Sequence, residues 1–272
     1  MLKERILTAI VAGTGLLLVL FVLPPLAAEM VIAAFFLAAA WEWSGFLSLG
    51  GTAGRLAYVA IIAALLGIVG WVLPRETSVA VDDVVLRIGL AWWFAALVWV
   101  FFYPTPIAKP VRWICGALVM VPAYIALVSL YTLEPAVLLF VLVIVWAADV
   151  GAYFAGKRWG RVKLAPNISP GKTWEGVIGG LSAVVLVLVL ASRYWVDLES
   201  LGTDIAAVVP FCLAVATLSI IGDLTVSMFK RSAGLKDSGR FFPGHGGVLD
   251  RIDSVAAAAP LFTLGIGWMG LA

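Results

Sequence analysis

Residues 136–154 read AVLLFVLVIVWAADVGAYF, nineteen residues with a single charge, Asp149, near the far end. As a helix such a run is about 28 Å long at about 1.5 Å per residue, close to the thickness of a bilayer's hydrocarbon core. Backbone polar groups at that depth must be satisfied within the segment, which favours a helix and rules out an open strand. Working outward, eight more apolar runs of similar kind appear, so the full set is 6–23, 30–47, 56–73, 88–102, 113–130, 136–154, 176–192, 205–221 and 254–271. The fourth is the shortest. The expected fold is therefore all-α: a polytopic integral membrane protein with about nine transmembrane helices. It forms one membrane domain over 1–272, with N-terminal spans in 1–135 and the polar loops of interest in 136–272.

Composition agrees. Hydrophobic residues make up 63% and charged residues 12% of the chain, with a mean hydropathy of +1.10; soluble domains hold roughly 45–50% and 25%. A net charge of +2 is too small for nucleic-acid binding by bulk electrostatics, so no nucleic acid is expected as partner. Cys115 and Cys212 sit inside apolar runs, where packed, inert thiols are expected rather than a disulfide or a zinc set. Lys3-Glu4-Arg5 before the first run imitates a secretory signal. That run is 18 residues long, however, and another follows at once, so a retained first helix is expected.

Charge placement sets the orientation. With the N-terminus in the cytoplasm, fifteen of the eighteen Lys and Arg residues fall on the cytoplasmic side; only Arg75, Arg87 and Arg193 fall outside. Trp71, Trp113, Trp195 and Trp268 lie near run ends, as interfacial anchors do.

Two cytoplasmic segments, 156–175 and 223–253, are long and polar in a chain of otherwise short connections. Positive-inside bias accounts for Lys157, Arg158, Arg161 and Lys163 as readily as a site would, but not for acids mixed with Gly, Pro and His. In the first segment Gly171-Lys172-Thr173 imitates the end of a P-loop, yet Pro166 stands at the first glycine and no strand is expected before it. What remains is a turn into a helix. Lys172 near its start would help cradle phosphate, or would merely snorkel. Asp149, inside the sixth run, and Asp223, at the cytoplasmic end of the eighth, are ionisable groups near membrane depth and so functional candidates. Glu42, between Trp41 and Trp43, stands open between function and helix-packing hydrogen bonds.

In the second segment Asp250 and Asp253 are three apart at the start of the ninth helix and share a face. Carboxylates so placed suit Mg²⁺. Lys230, Arg231, Lys236 and Arg251 can neutralise phosphate, and Gly246-Gly247 permit close backbone approach. His245 reads either as part of a site or as a structural loop histidine.

The stretch from Ser227 to Asp253 follows S-x-F-K-R-x₄-K-D-x-G-x₂-F-P-x-H-G-G-V-x-D-R-I-D without departure. It resembles the signature of phosphatidate cytidylyltransferases, also called CDP-diacylglycerol synthases. Ser169-Pro170-x-Lys172-Thr173-x-Glu175 and Asp149-x-Gly151-Ala152-Tyr153 are similar to that family too; the first five spans match only in hydrophobic character. The resemblance implies that CTP and phosphatidic acid give CDP-diacylglycerol and pyrophosphate, with Mg²⁺ as cofactor. It also implies a place in phospholipid biosynthesis at the cytoplasmic face of the cell (inner) membrane. On it, Asp223 and Asp250 are expected as principal Mg²⁺ ligands, with Asp149 and Asp253 as further ligands or supports. Asp223, Asp250, Lys172, Lys236 and His245 form the expected catalytic set. Substrate binding is expected of Lys172, Ser227, Lys230, Arg231, Lys236, Asp237, His245, Gly246, Gly247 and Arg251. Small residues in several spans would allow a homodimer.

Two other classes make different demands on a sequence. An ion-coupled transporter with intramembrane carboxylates would place polar residues deep in several spans, often in repeated halves. Here the polar set hugs one face and no repeat shows. An alcohol phosphotransferase acting on CDP-lipids would need a D-x-x-D-G-type helix motif, which the sequence lacks.

Overall fold

A computed structural model describes residues 2–72, 79–194, 205–239, 241 and 246–269. Among these, nine helices follow one another: α1 (Leu2–Phe21), α2 (Pro25–Trp43), α3 (Thr52–Gly67), α4 (Val79–Phe102), α5 (Lys109–Leu133), α6 (Pro135–Trp159), α7 (Trp174–Tyr194), α8 (Ile205–Ser232) and α9 (Leu249–Trp268). Each apolar run falls on one of them. Seven helices are long and apolar enough to cross a membrane. In α9 the first turns carry Asp250, Arg251 and Asp253, which dilute its hydropathy; in α1 the apolar part described is the shorter Ile10–Phe21. The fold is an all-α polytopic membrane bundle.

Proline starts several helices where its missing N–H costs nothing: Pro25 opens α2, Pro110 sits in the first turn of α5, and Pro135 opens α6. Interior prolines at 122, 210 and 260 are accommodated, as neighbouring helices in a membrane allow. The shortest run grew most. α4 reaches 24 residues because its polar start is also helical, with Arg87 paired to Asp83 one turn earlier at 2.6 Å.

Two departures from the sequence reading shape the polar end. Segment 156–175 is not a plain turn. α6 continues to Trp159, and an antiparallel hairpin of β1 (Lys163–Ala165) and β2 (Ser169–Thr173) leads directly into α7. A short strand does therefore precede Pro166, and Gly171-Lys172-Thr173 lies on β2; the segment is a hairpin and still no P-loop. Likewise 223–253 is not one long loop. α8 stays helical through Ser232, so Asp223, Ser227, Lys230 and Arg231 all project from one rigid helix. It then ends at Gly234, which takes the left-handed conformation (φ 72°) while the Leu235 N–H bonds back to the Lys230 carbonyl at 2.9 Å.

Packing inside a membrane relies on close fit rather than on expelling water. The α6–α7 seam is built from small residues. A side chain on Gly151 would meet Ala183 and the Gly179 carbonyl; one on Gly179 would meet Ala155; one on Gly180 would meet the Ala148 carbonyl. The small residues at this seam thus serve contacts within one chain. A second knot is aromatic: Phe229 of α8 lies 5.0 Å from Trp43 of α2 and 5.9 Å from Trp99 of α4, centroid to centroid. The Trp43 indole donates to the Arg112 carbonyl at 3.0 Å. Arg112 in turn donates to the carbonyls of Ile107, Phe46 and Ser232, so a residue counted only as a topology charge ties three segments together. Cys115 and Cys212 are buried free thiols, as expected.

Candidate active site

The site is built on α8. Because Phe229 is locked in the aromatic knot, its neighbour Lys230 is held against α9, where its ammonium donates to Asp250 Oδ1 at 2.8 Å. Both side chains are about nine-tenths buried, 9% and 10% exposed. Asp250 is further held by the amides of Ser238, at 3.1 Å, and Gly247, at 3.0 Å, both to Oδ2. Gly246 is required beside it: its φ is 84°, and a side chain there would run into Asp250 Oδ2.

Two turns back along α8, Asp223 pairs with Lys172 of the hairpin at 2.7 Å, and its Oδ1 accepts from Ser227 at 3.1 Å. This pair is open, 26% and 29% exposed. The hairpin is aimed by four anchors. Ile168 at its turn is buried, and its carbonyl accepts from Arg231 at 3.1 Å. Thr173 caps α7 by accepting from the Gly176 amide at 3.2 Å, and the Glu175 carboxylate accepts the Val162 amide at 3.2 Å.

Asp149 and Asp253 complete the cluster. Asp149 is exposed on α6, and the charges acting on it are those of Lys172, Asp223 and Arg251. Asp253 is buried, among the charges of Asp223, Lys230 and Lys172. Asp250 and Asp253 both turn toward α8, as their spacing implied. From Asp223 to the end of α8, and from Asp149 to the end of α6, is about 14–15 Å of helix at about 1.5 Å per residue. Each carboxylate thus lies about two to three turns before the end of its own helix.

Among the expected site residues, Lys172, Asp149, Asp223, Ser227, Lys230, Asp250, Asp253 and Arg251 are brought together, with Gly246 and Gly247 at the start of α9. Lys236 and Asp237 are exposed in the α8–α9 connection. Arg231 is turned to backbone, donating to the carbonyls of Ile168 and Leu235. His245 lies outside the described residues, as do Arg240, Arg75 and Trp195. The sequence reading passed over Ser238, whose amide meets Asp250 and whose hydroxyl meets Glu42 at 2.9 Å. It left Glu42 undecided. The signal was present in both: a carboxylate buried between tryptophans, and a serine within the polar signature. Apart from the cluster, a groove of about 500 Å³ on the α6–α7 pair is lined by Phe154, Trp159 and Ile178, with Glu175 and Ser182 as its polar side chains.

Hard oxygen donors of this kind fit a hard cation. Among the described residues no group of three His, Cys, Asp or Glu side chains is placed to hold a metal ion. Magnesium does not demand one, since it takes one or two carboxylates and completes its shell with waters and phosphate oxygens. Asp223, open on one side, fits better than Asp250, whose two oxygens already accept from Lys230, Ser238 and Gly247.

The profile of the cytidylyltransferase family matches residues 3–267. The chain belongs to this family. It is also similar to a phosphatidate cytidylyltransferase of Pseudomonas aeruginosa, 42% identical over 96% of each chain. A phosphatidate cytidylyltransferase of Haemophilus influenzae is 36% identical over 97% of this chain and 98% of its own. One of Brucella suis is 45% identical over 47% of this chain and 45% of its own. Family membership covers the first five helices as fully as the last four, which the signature alone did not reach. A cytidylyltransferase handles a nucleoside triphosphate, and the Lys–Asp cluster on α8 is where this bundle concentrates charge.

Proposed function

We propose that the protein is a phosphatidate cytidylyltransferase, moving the cytidylyl group of CTP onto phosphatidic acid. CDP-diacylglycerol forms and pyrophosphate leaves. The observation that carries this reading is the open Lys172–Asp223 pair, with Asp149 and Arg251 beside it, sunk below one end of a membrane bundle of this family. The names of the two full-length relatives support phosphatidate as acceptor. Family membership leaves the transporter reading without support.

The chemistry suits the residues. A phosphate oxygen of phosphatidate attacks the α-phosphorus of CTP, and the bond from that phosphorus to the bridging oxygen of the β-phosphate breaks. The nucleophile is already ionised, so no strong general base is needed. The barrier is repulsion between polyanions and their alignment, which positioned cations lower. Lys172 and Arg251, on the open side, would grip the triphosphate and headgroup; Lys236, exposed nearby, would close over them.

We assign Mg²⁺ as cofactor, held by Asp223 with Asp149 and Asp253 around it, and by Asp250 if Lys230 is displaced. It would supply positive charge for the triphosphate, which the cluster needs: among the described residues, four aspartates meet Lys172, Lys230 and Arg251. The fifteen-to-three charge asymmetry supports a cytoplasmic active site in the inner membrane. The test is transfer by purified protein in mixed micelles. Label in the cytidine of CTP should become lipid-soluble only when phosphatidate and Mg²⁺ are both present. Transfer to diacylglycerol, or none to phosphatidate, would refute the assignment.

A further inference from the structure

We infer that Glu42 of α2 is a positioning residue for this transfer. It clasps the α8–α9 connection and the start of α9 so that Asp250 meets Lys230. The inference rests on the cytidylyltransferase reading and extends it to the N-terminal half, where the signature offered no residue.

Glu42 is buried, 8% exposed, and both of its oxygens are in use. Oε1 accepts from the Val248 amide at 3.0 Å; Oε2 accepts from the Leu249 amide at 2.8 Å and from the Ser238 hydroxyl at 2.9 Å. Val248 and Leu249 open α9, whose N-cap position, Val248, offers no side-chain cap of its own. A carboxylate from a helix 206 residues earlier supplies that cap, where the amides and the helix dipole favour an anion. The surrounding backbone is shaped to admit it: a side chain at Gly239 or Gly247 would collide with the Glu42 carboxylate.

Glu42 and Asp250 divide one set of donors. The amides of Val248 and Leu249 go to Glu42, and that of Gly247 goes to Asp250. Ser238 joins the two, giving its hydroxyl to Glu42 and its amide to Asp250. Without the Glu42 carboxylate, three donors lose their acceptor in a buried place. Ser238 is then no longer held on Asp250, and the Asp250–Lys230 pair loses its frame. Glu42 touches neither reacting group; it acts through Ser238 and the first turn of α9.

The test uses the full-length protein in mixed micelles, assayed well below each variant's melting temperature. Glu42→Gln keeps the shape but replaces one accepting oxygen by an N–H₂, which then faces either the Val248 amide or the Leu249 amide and the Ser238 hydroxyl. Its turnover per folded molecule should fall at least about 30-fold while KM for CTP stays within about threefold. Glu42→Asp should recover part of the loss. Ser238→Ala should fall less, and should add little on the Glu42→Gln background, because both remove one linkage. Amide exchange should rise in peptides carrying Ser238 and residues 247–250, and not in α6 or α7. Glu42→Gln that lowers the melting temperature yet keeps turnover within about threefold makes Glu42 a structural tie only and overturns the inference. So does unchanged exchange in those peptides, or full additivity with Ser238→Ala. Absence of transfer by the unaltered protein sinks the functional reading instead, and the exchange measurement then still decides whether Glu42 holds this segment.

Discussion

Two lysine–aspartate pairs, each with one partner on α8, differ in exposure, and that difference separates their roles. Lys230–Asp250 is closed, with side chains 9% and 10% exposed, whereas Lys172–Asp223 is open at 26% and 29%. Removing one partner of a closed pair strands a buried charge, at a cost of about 3–5 kcal/mol, while an open pair contributes about 0–1 kcal/mol. Asp250→Asn should therefore lower both thermal stability and turnover. Asp223→Asn should nearly abolish turnover with a smaller loss of melting temperature. Melting curves and turnover on the same purified samples check this, and equal destabilisation by both would contradict it. Lysine identity is a separate matter. A topology charge tolerates exchange of Lys and Arg, but a compact ammonium gripping phosphate is not matched by a planar guanidinium. Lys172→Arg and Lys236→Arg should cost about 2–4 kcal/mol in the transition state, about 30- to 1000-fold in rate. Arg158→Lys and Arg161→Lys should cost little. Equal, mild losses in all four at saturating CTP would mean that a topological cluster had been taken for a site.

Each helix was legible from its own apolar run, because crossing a bilayer is decided within the segment. The hairpin was not. Lys163–Ala165 and Ser169–Thr173 have no apolar alternation, and they hold together through Ile168, Thr173 and the distant Arg231. The polar end of α8 was read as loop for a similar reason: its helicity is secured by partners far along the chain, Asp250 and the Ile168 carbonyl. Asp149, Asp223, Lys172 and Asp250 were legible as polar groups in apolar surroundings, whereas the capping role of Glu42 depends on a contact across 206 residues. The α6–α7 seam makes its own prediction. A leucine at Gly179 collides with Ala155 and the Gly151 carbonyl, between the helix that carries Asp149 and the one that anchors the hairpin. Gly179→Leu should lower stability by about 1–3 kcal/mol and reduce activity with it. Gly67→Ala, with nothing within 4 Å of the added methyl, should melt as the unaltered protein does. A thermal series on the two variants distinguishes the outcomes.

The whole bundle gathers charged groups from α6, the hairpin, α8 and α9 below one end of an apolar shell, and closes them with Glu42 from α2. Such a layout brings a water-soluble triphosphate and a membrane lipid to the same depth. It requires the polar end to face the compartment that holds CTP. Cysteines placed singly at Gly171 or Asp237 should thus react with impermeant reagent only from the cytoplasmic side, and labelling from outside intact cells would reverse the orientation. The most direct measurement compares CTP labelled at the α-phosphate with CTP labelled at the γ-phosphate. Unaltered protein and Asp223→Asn are run side by side with phosphatidate and Mg²⁺. The α label should enter lipid, and the γ label should appear in pyrophosphate in equal amount, while Asp223→Asn transfers neither. A γ label in the lipid, or near-normal transfer by Asp223→Asn, would contradict a cytidylyl-transfer site at this aspartate.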